Sequence, residues 1–103
     1  MANRHTPHVD ALVRNILEGP GQLDHTLRRA AFTQGELPEP LAGLVAKIHR
    51  NAWKVTDEDV ASARAAGWSQ DQLFELIVCA AVGAGKERLD AGLRALDAAG
   101  GER

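Results

Sequence analysis

The stretch that decides the fold is LFELIVCAAVGAG, residues 73–85, which carries one charged side chain in thirteen residues. Its apolar residues surround the whole circumference of a helix, and a helix of that kind must be covered on every side. No proline occurs between residues 70 and 98, so the stretch belongs to one long helix, which Ser69 and Gln72 open with a capping-box pattern. Because small residues let helix backbones approach closely, we expect the chain to associate with itself here. The expected interface residues are Ala80, Ala81, Gly83 and Ala84.

Two shorter helices are expected in the first third of the chain. Apolar residues at helical spacing predict the first helix at about residues 8–18, and a Gly-Pro-Gly run ends it. The second helix follows Asp24 and ends at Gly35. We expect Arg28 and Arg29 to lie towards its C-terminal end, where positive charge opposes the helix dipole.

Two further helices are expected before the long one. Residues 36–40 carry two prolines and predict a connector. An apolar stripe then predicts a third helix from Leu41 to near Val55. Thr56 and Asp59 have capping-box spacing and predict the start of a short fourth helix, at residues 57–66. The chain is therefore expected to form one all-α domain of about five helices.

Length and composition limit the possible functions. The chain has 103 residues, which suits one domain spanning 1–103, with residues 1–7 and 99–103 expected to fray. The net charge of −2 without a basic stripe disfavours nucleic acid as a partner. A single cysteine excludes an internal disulfide and favours a cytoplasmic location. No segment has the roughly 20 apolar residues that span a bilayer, so no membrane association is expected. Nine arginines against three lysines hint at a bacterial source.

Three residues are the best candidates for a ligand-binding groove. His49 flanks an apolar stripe one turn before Trp53, so packing between the two rings is the favoured interpretation. Glu75 is an acid inside an apolar helix, where it needs a partner or a raised pKa. We favour a structural ion pair with an arginine, from this subunit or another, over a functional acid. The expected ligand is small and apolar or acidic, or else a protein partner.

Other patterns have simpler explanations than a catalytic or metal-binding site. Cys79 follows Glu75 by one turn within the apolar run, so both its surroundings and its neighbour disfavour the thiolate. The sequence Gly-Ala-Gly-Lys at 83–86 lacks the flanking residues of a phosphate loop. Helix capping accounts for the acidic run at 56–59. The histidines lack metal-ligand spacing, and we expect neither a metal nor a cofactor.

The second half of the chain resembles the AhpD-like and carboxymuconolactone decarboxylase-like family. The resemblance rests on ARAAG at residues 63–67, SQDQLFE at 69–75, and AAVGAG at 80–85 leading to Arg88 and Leu89. It covers about half of the chain. It implies an AhpD-like helical domain that assembles into dimers, trimers or hexamers.

The resemblance also indicates which family residues are missing. The positions of the two redox cysteines fall on Ala52 and Val55, and that of the histidine falls on Asp59. The proton-relay glutamate would fall on Pro40, beside Glu39. The dithiol peroxidase mechanism is therefore not expected, and no catalytic residue is assigned.

Three functions stay open. The first is a non-redox homo-oligomeric helical module that binds a small ligand or a protein partner. The second is an acid-base enzyme of the decarboxylase type, in which His49 and Glu75 act while Arg64 or Arg88 holds a carboxylate. The third is an alkylhydroperoxidase-like antioxidant that uses Cys79. These alternatives include both enzymes and a non-enzyme, so enzymatic activity stays open.

Overall fold

The structure consists of helices joined by short connections, as the sequence predicts. The computed structural model describes residues 6–100, within which there is no β-strand. The five α-helices, numbered in chain order, are α1 (Thr6–Glu18), α2 (His25–Thr33), α3 (Leu41–Asn51), α4 (Asp57–Ala65) and α5 (Gln70–Gly100). A 3-10 turn, Ala52–Lys54, follows α3. Residues 1–5 and 101–103, at the ends expected to fray, lie outside the described residues, whereas the described parts of those ends are helical.

Local hydrogen bonds explain several of the helix ends. The Thr56 hydroxyl accepts from the Asp59 backbone N–H, and the Asp59 carboxylate accepts from the Thr56 N–H, which confirms that capping box. The equivalent pair of bonds joins Ser69 and Gln72 at the start of α5. At the end of α2, Gln34 adopts the left-handed conformation with φ 59° in place of the expected Gly35. The predicted third helix is shorter than expected, because α3 ends before the 3-10 turn.

The core lies on one face of the first half of α5. The buried residues of that face include Leu73, Leu76, Cys79, Ala80 and Ala84, and they pack with leucines of the preceding elements. The other helices of the chain cover only part of the circumference of α5. Its exposed side carries Phe74, which is 67% exposed, together with Ala81 and Gly85.

The small residues of α5 mainly serve packing within the chain, and self-association through this stretch stays a prediction. Ala80, Gly83 and Ala84 are buried, and only Ala81 of the four predicted interface residues is exposed. A Cβ added at Gly83 would lie 2.8 Å from the carbonyl carbon of Phe32 in α2, and nearer still to its oxygen. Small residues are therefore needed because α2, which makes the most extensive contact with α5, runs close against it.

The last turns of α5 extend beyond the other helices. From Arg88 to Ala99 every residue is exposed except Asp90 and Leu93, which are partly buried. The radius of gyration is 15.5 Å, whereas a compact chain of about 100 residues has about 13 Å. Among the helices of residues 6–100, none is both long and apolar enough to cross a membrane.

Candidate functional site

Arg28 is the most highly connected polar side chain of the described structure. It is only 3% exposed, and its Nε donates to the carbonyl oxygen of Leu23 at 2.9 Å. Its Nη1 donates to the carbonyl oxygens of Gly19 at 2.5 Å and Ile16 at 3.4 Å. The guanidinium therefore points back from α2 and ties the end of α1 to the connection before α2. The expectation that Arg28 faces the C-terminal end of its helix is wrong, because these carbonyl groups offer it buried partners.

Glu75 completes this arrangement from α5. One carboxylate oxygen accepts from the backbone N–H of Leu23 at 2.7 Å and the other from that of Gln22 at 2.9 Å. Oε1 also lies 3.8 Å from Nε of Arg28. The predicted pairing of Glu75 with an arginine is confirmed, and the partner belongs to the same chain. We call Arg28, Glu75 and the backbone of residues 19–23 the Arg28–Glu75 cluster.

A glycine leaves the space that this cluster occupies. A Cβ added at Gly21 would lie 2.5 Å from Nη2 of Arg28 and 2.8 Å from both carboxylate oxygens of Glu75. The Gly-Pro-Gly run therefore does more than end α1, because its last glycine lets the backbone approach the Arg28–Glu75 ion pair, whose side chains are 4% and 24% exposed. The sequence pattern predicts the turn, but it does not predict that the turn's backbone lies against Arg28 and Glu75.

The charge state of Glu75 follows from its partners. Burial by itself would raise the pKa of this carboxyl group. The backbone N–H groups of Gln22 and Leu23 and the positive charge of Arg28 together outweigh burial and lower the pKa below its ordinary value of 4.5. Glu75 is therefore a carboxylate at neutral pH that accepts hydrogen bonds, which suits a structural role better than proton donation.

His49 and Trp53 do not pack together, so that prediction is wrong. His49 is buried, and its Nε2 lies 2.8 Å from the carbonyl oxygen of Ala31. Trp53 is 79% exposed and lies in the 3-10 turn. Residues four apart share a face only while the helix continues, and α3 ends between the two at Asn51.

The expected groove of His49, Trp53 and Glu75 is consequently not formed. The acid near His49 is Glu87, whose Oε1 lies 3.7 Å from the His49 Nδ1 atom. Glu87 follows Glu75 by twelve residues, which corresponds to about 18 Å along the helix axis. Within the described structure Nδ1 has no hydrogen-bond partner. His49 and Glu75 thus occupy separate environments and cannot act together as an acid-base pair in this arrangement.

The positions that the family resemblance assigned to redox chemistry are structural in this chain. Ala52 lies in the 3-10 turn and Val55 follows it. Asp59 binds Nζ of Lys47 at 2.9 and 3.0 Å and caps α4 through Thr56. The hydrogen bond from Lys47 contributes most to holding the pKa of Asp59 below its ordinary value of 3.8.

Cys79 is expected to be unreactive in the folded protein. It is 1% exposed, and burial raises the pKa of its thiol, with Glu75 adding to the rise and Arg28 opposing it. We expect a chromogenic disulfide reagent to label native Cys79 at least about 100-fold more slowly than the chain unfolded in urea, because the reagent needs an exposed thiolate. Equal labelling rates, or peroxide turnover that Cys79→Ser abolishes, would instead support the antioxidant alternative.

Two pockets lie on either side of the exposed Phe74 ring. One, of about 170 Å³, is next to the Arg28–Glu75 cluster and is lined also by Ile16, Val78 and Cys79. The other, of about 330 Å³, lies between α4 and α5. Its lining residues are Val60, Arg64, Gln70, Leu73, Phe74 and Ile77.

Arg64 gives the larger pocket a positive charge. Among the described side chains, no carboxylate lies within 4 Å of Arg64, whereas Arg88 donates to the carbonyl oxygen of His49 at 3.1 Å. In the sequence, only the family resemblance indicates the two arginines, and no pattern indicates Phe74. The spacing of Val60 and Arg64, one turn apart on α4, was the available signal.

The lining of the larger pocket contains no histidine, cysteine, aspartate or glutamate. Within residues 6–100, no group of three or more histidine, cysteine, aspartate or glutamate side chains is placed to hold a metal ion. Comparison of the chain with protein-family models, with curated proteins and with solved structures gave no match.

Proposed function

We propose that the protein is a non-redox helical binding module that takes a small, mainly apolar carboxylic acid in the pocket between α4 and α5. The observation that carries the proposal is the chemistry of the lining. Val60, Leu73 and Ile77 supply apolar surface, Phe74 supplies an aromatic ring, and Arg64 supplies the cation. Its volume of about 330 Å³ lies at the lower end of the range for small-molecule sites.

The charge of Arg64 favours an acid over a neutral ligand. A guanidinium binds a carboxylate through two parallel hydrogen bonds, and charge-assisted bonds are the stronger class. A ligand with its carboxylate at Arg64 can place an apolar tail against Phe74 and Ile77. Such an occupant would also cover part of the Phe74 ring, which is otherwise unusually exposed for an aromatic residue.

The two catalytic alternatives have less support. The acid-base hypothesis requires His49 and Glu75 to act on one substrate. His49 lies near Glu87, which is about three turns along α5 from Glu75. The antioxidant hypothesis requires an accessible Cys79 thiol, whereas Cys79 is buried. Membership of the AhpD-like family, a bacterial source and a cytoplasmic location stay predictions.

The test is calorimetric titration of the chain with octanoate, with octanol as the neutral compound of the same chain length. We expect octanoate to bind and octanol to bind more weakly. Arg64→Gln should weaken octanoate binding by about 10- to 100-fold, since a hydrogen bond to a charged group contributes roughly 1.5–3 kcal/mol. Octanol binding should hardly change in this variant.

Arg94→Gln is the matched control. Arg94 is an exposed arginine on the projecting part of α5, so its loss changes net charge equally without touching the pocket. We expect Arg94→Gln to bind octanoate as the parent does. The proposal fails if the acid and the alcohol bind equally, if neither binds, or if the two arginine variants lose the same affinity.

A further inference from the structure

Three leucines form an exposed ridge on the projecting part of α5. Leu89 is 43% exposed, Leu96 is 62% exposed, and Leu93 lies partly buried between them. With about 100° between successive residues, this leucine ridge faces roughly away from Leu76, Ala80 and Gly83, which pack into the core. The body of the subunit therefore leaves the ridge uncovered, and an apolar row of this kind on a helix is typical of helix pairing.

Two glycines lie on the same face of α5, where an added side chain would be free of the described chain. Gly85 and Gly92 are seven residues apart and alternate with Leu89 and Leu96 at spacings of four and three. A Cβ added at either glycine would meet nothing within 4 Å, whereas one at Gly83 would collide with α2. Glycine destabilises a helix interior relative to alanine. A second helix that approaches this face closely would explain why both positions lack a side chain.

We infer that the leucine ridge pairs with the same ridge of a second copy of this chain, with the two helices antiparallel. In a two-fold symmetric pair, if residue i contacts residue j, then j contacts i. One register places Leu89 opposite Gly92 of the partner subunit and Leu96 opposite Gly85 of the partner subunit. Each large side chain then enters the gap above a glycine, and the same register continues outward to place Val82 opposite Ala99 of the partner subunit.

Charges on the flank of the ridge fit the same register. Lys86 and Asp97 are eleven residues apart, about three turns, so they lie on the same flank of α5. In an antiparallel two-fold pair each flank meets the identical flank of the partner. The positions of Lys86 and of Asp97 of the partner subunit then differ by about 3 Å along the helix axis. Within its own chain Lys86 binds Asp90 at 2.7 Å, and Asp97 has no cation within 4 Å among the described side chains.

A parallel pair would fit the sequence less well. Leucine would then face leucine and glycine would face glycine, which leaves gaps at the glycine layers. Lys86 and Asp97 would also face the opposite flank, which carries Arg88 and Ala95. The antiparallel arrangement is the one that uses the glycines, the leucines and the Asp97 carboxylate together. It goes beyond the proposed ligand pocket, which contains none of these residues.

The test is the molar mass of the full chain, measured by light scattering after size exclusion over a range of concentrations. The parent should have twice the 11.0 kDa mass of one chain. Gly92→Leu fills the gap that Leu89 of the partner subunit needs, so it should elute as an 11.0 kDa monomer. Its helix should stay folded by circular dichroism, since nothing lies within 4 Å of the added Cβ.

Ala91→Leu is the matched control, because Ala91 is the exposed neighbour of Gly92 and points away from the ridge. This variant should keep the doubled mass. Asp97→Lys should weaken the dimer several-fold, and adding Lys86→Glu should restore part of the lost affinity. A monomeric parent at submillimolar concentration, a trimer, or a dimer that Gly92→Leu leaves intact would overturn the inference.

Discussion

Arg28→Met is expected to lower the free energy of unfolding by about 3–5 kcal/mol, the range typical for removing one partner of a buried ion pair. Methionine can replace the apolar stem of Arg28 but none of its donors. The carbonyl groups of Gly19 and Leu23 and the carboxylate of Glu75 would each lose a partner. Since domains of this size are stable by only about 5–15 kcal/mol, the loss is a large share of the total, and the urea midpoint of the variant should fall well below that of the parent.

Arg29→Met is the control for this experiment. Arg29 is the next residue on α2, and its Nη2 lies 3.3 Å from Glu18 with both side chains more than half exposed. Surface pairs contribute at most about 1 kcal/mol, so this variant should unfold in urea close to the parent midpoint. Equal midpoints for the two variants would show that the Arg28–Glu75 cluster does not stabilise the fold.

Acid provides a second measurement of the same cluster. The pKa of Glu75 is lower in the folded chain than its ordinary value of 4.5, so the folded state binds the proton less readily than the unfolded state. Its contribution to stability is therefore complete above about pH 4.5 and is lost as the pH falls towards the folded-state pKa. In Arg28→Met the loss of unfolding free energy on acidification should be smaller than in the parent, because one of the groups that lower the pKa of Glu75 is missing.

The features that sequence predicted correctly depend on neighbouring residues. The capping boxes of α4 and α5 are set by pairs three residues apart, whose backbone geometry is the same in any helix start. The helix count follows in the same way from apolar spacing and glycine or proline breaks. The direction of Arg28 does not, because it depends on how residues 19–23 fold back over α2. The hydrogen bonds between this backbone and Glu75 join residues about 50 positions apart in the sequence.

The candidate site was less predictable for a related reason. Apolar spacing indicated that residues 73–85 need cover, but it could not say which sides α2 covers and which face solvent. The pattern therefore predicts an interface at small residues that α2 covers, whereas the exposed side of the same stretch carries Phe74, Ala81 and Gly85. Likewise, helical spacing joined His49 to Trp53 across a position where the chain changes to a 3-10 turn.

Gly83→Ala is expected to destabilise the protein by at least about 3 kcal/mol, at the upper end of the usual cost of overpacking a core. The new Cβ would lie 2.8 and 2.9 Å from the carbonyl carbon and Cα of Phe32. These are backbone atoms, so no side-chain rotation relieves the contact and α2 has to move away from α5. The change should be visible as a large fall in the urea midpoint measured by circular dichroism.

Gly85→Ala tests whether the effect comes from the close approach of α2 or from glycine itself. Gly85 lies two residues further along α5, is exposed, and has nothing within 4 Å of an added Cβ. Because alanine favours a helix over glycine by roughly 1 kcal/mol, this variant should be more stable than the parent when both are unfolded at concentrations low enough for the chains to be monomeric. The same substitution is thus expected to have opposite signs at two neighbouring glycines of one helix. If both variants gained stability, α2 would not lie against Gly83, and the covered and open faces of α5 would have to be reassigned.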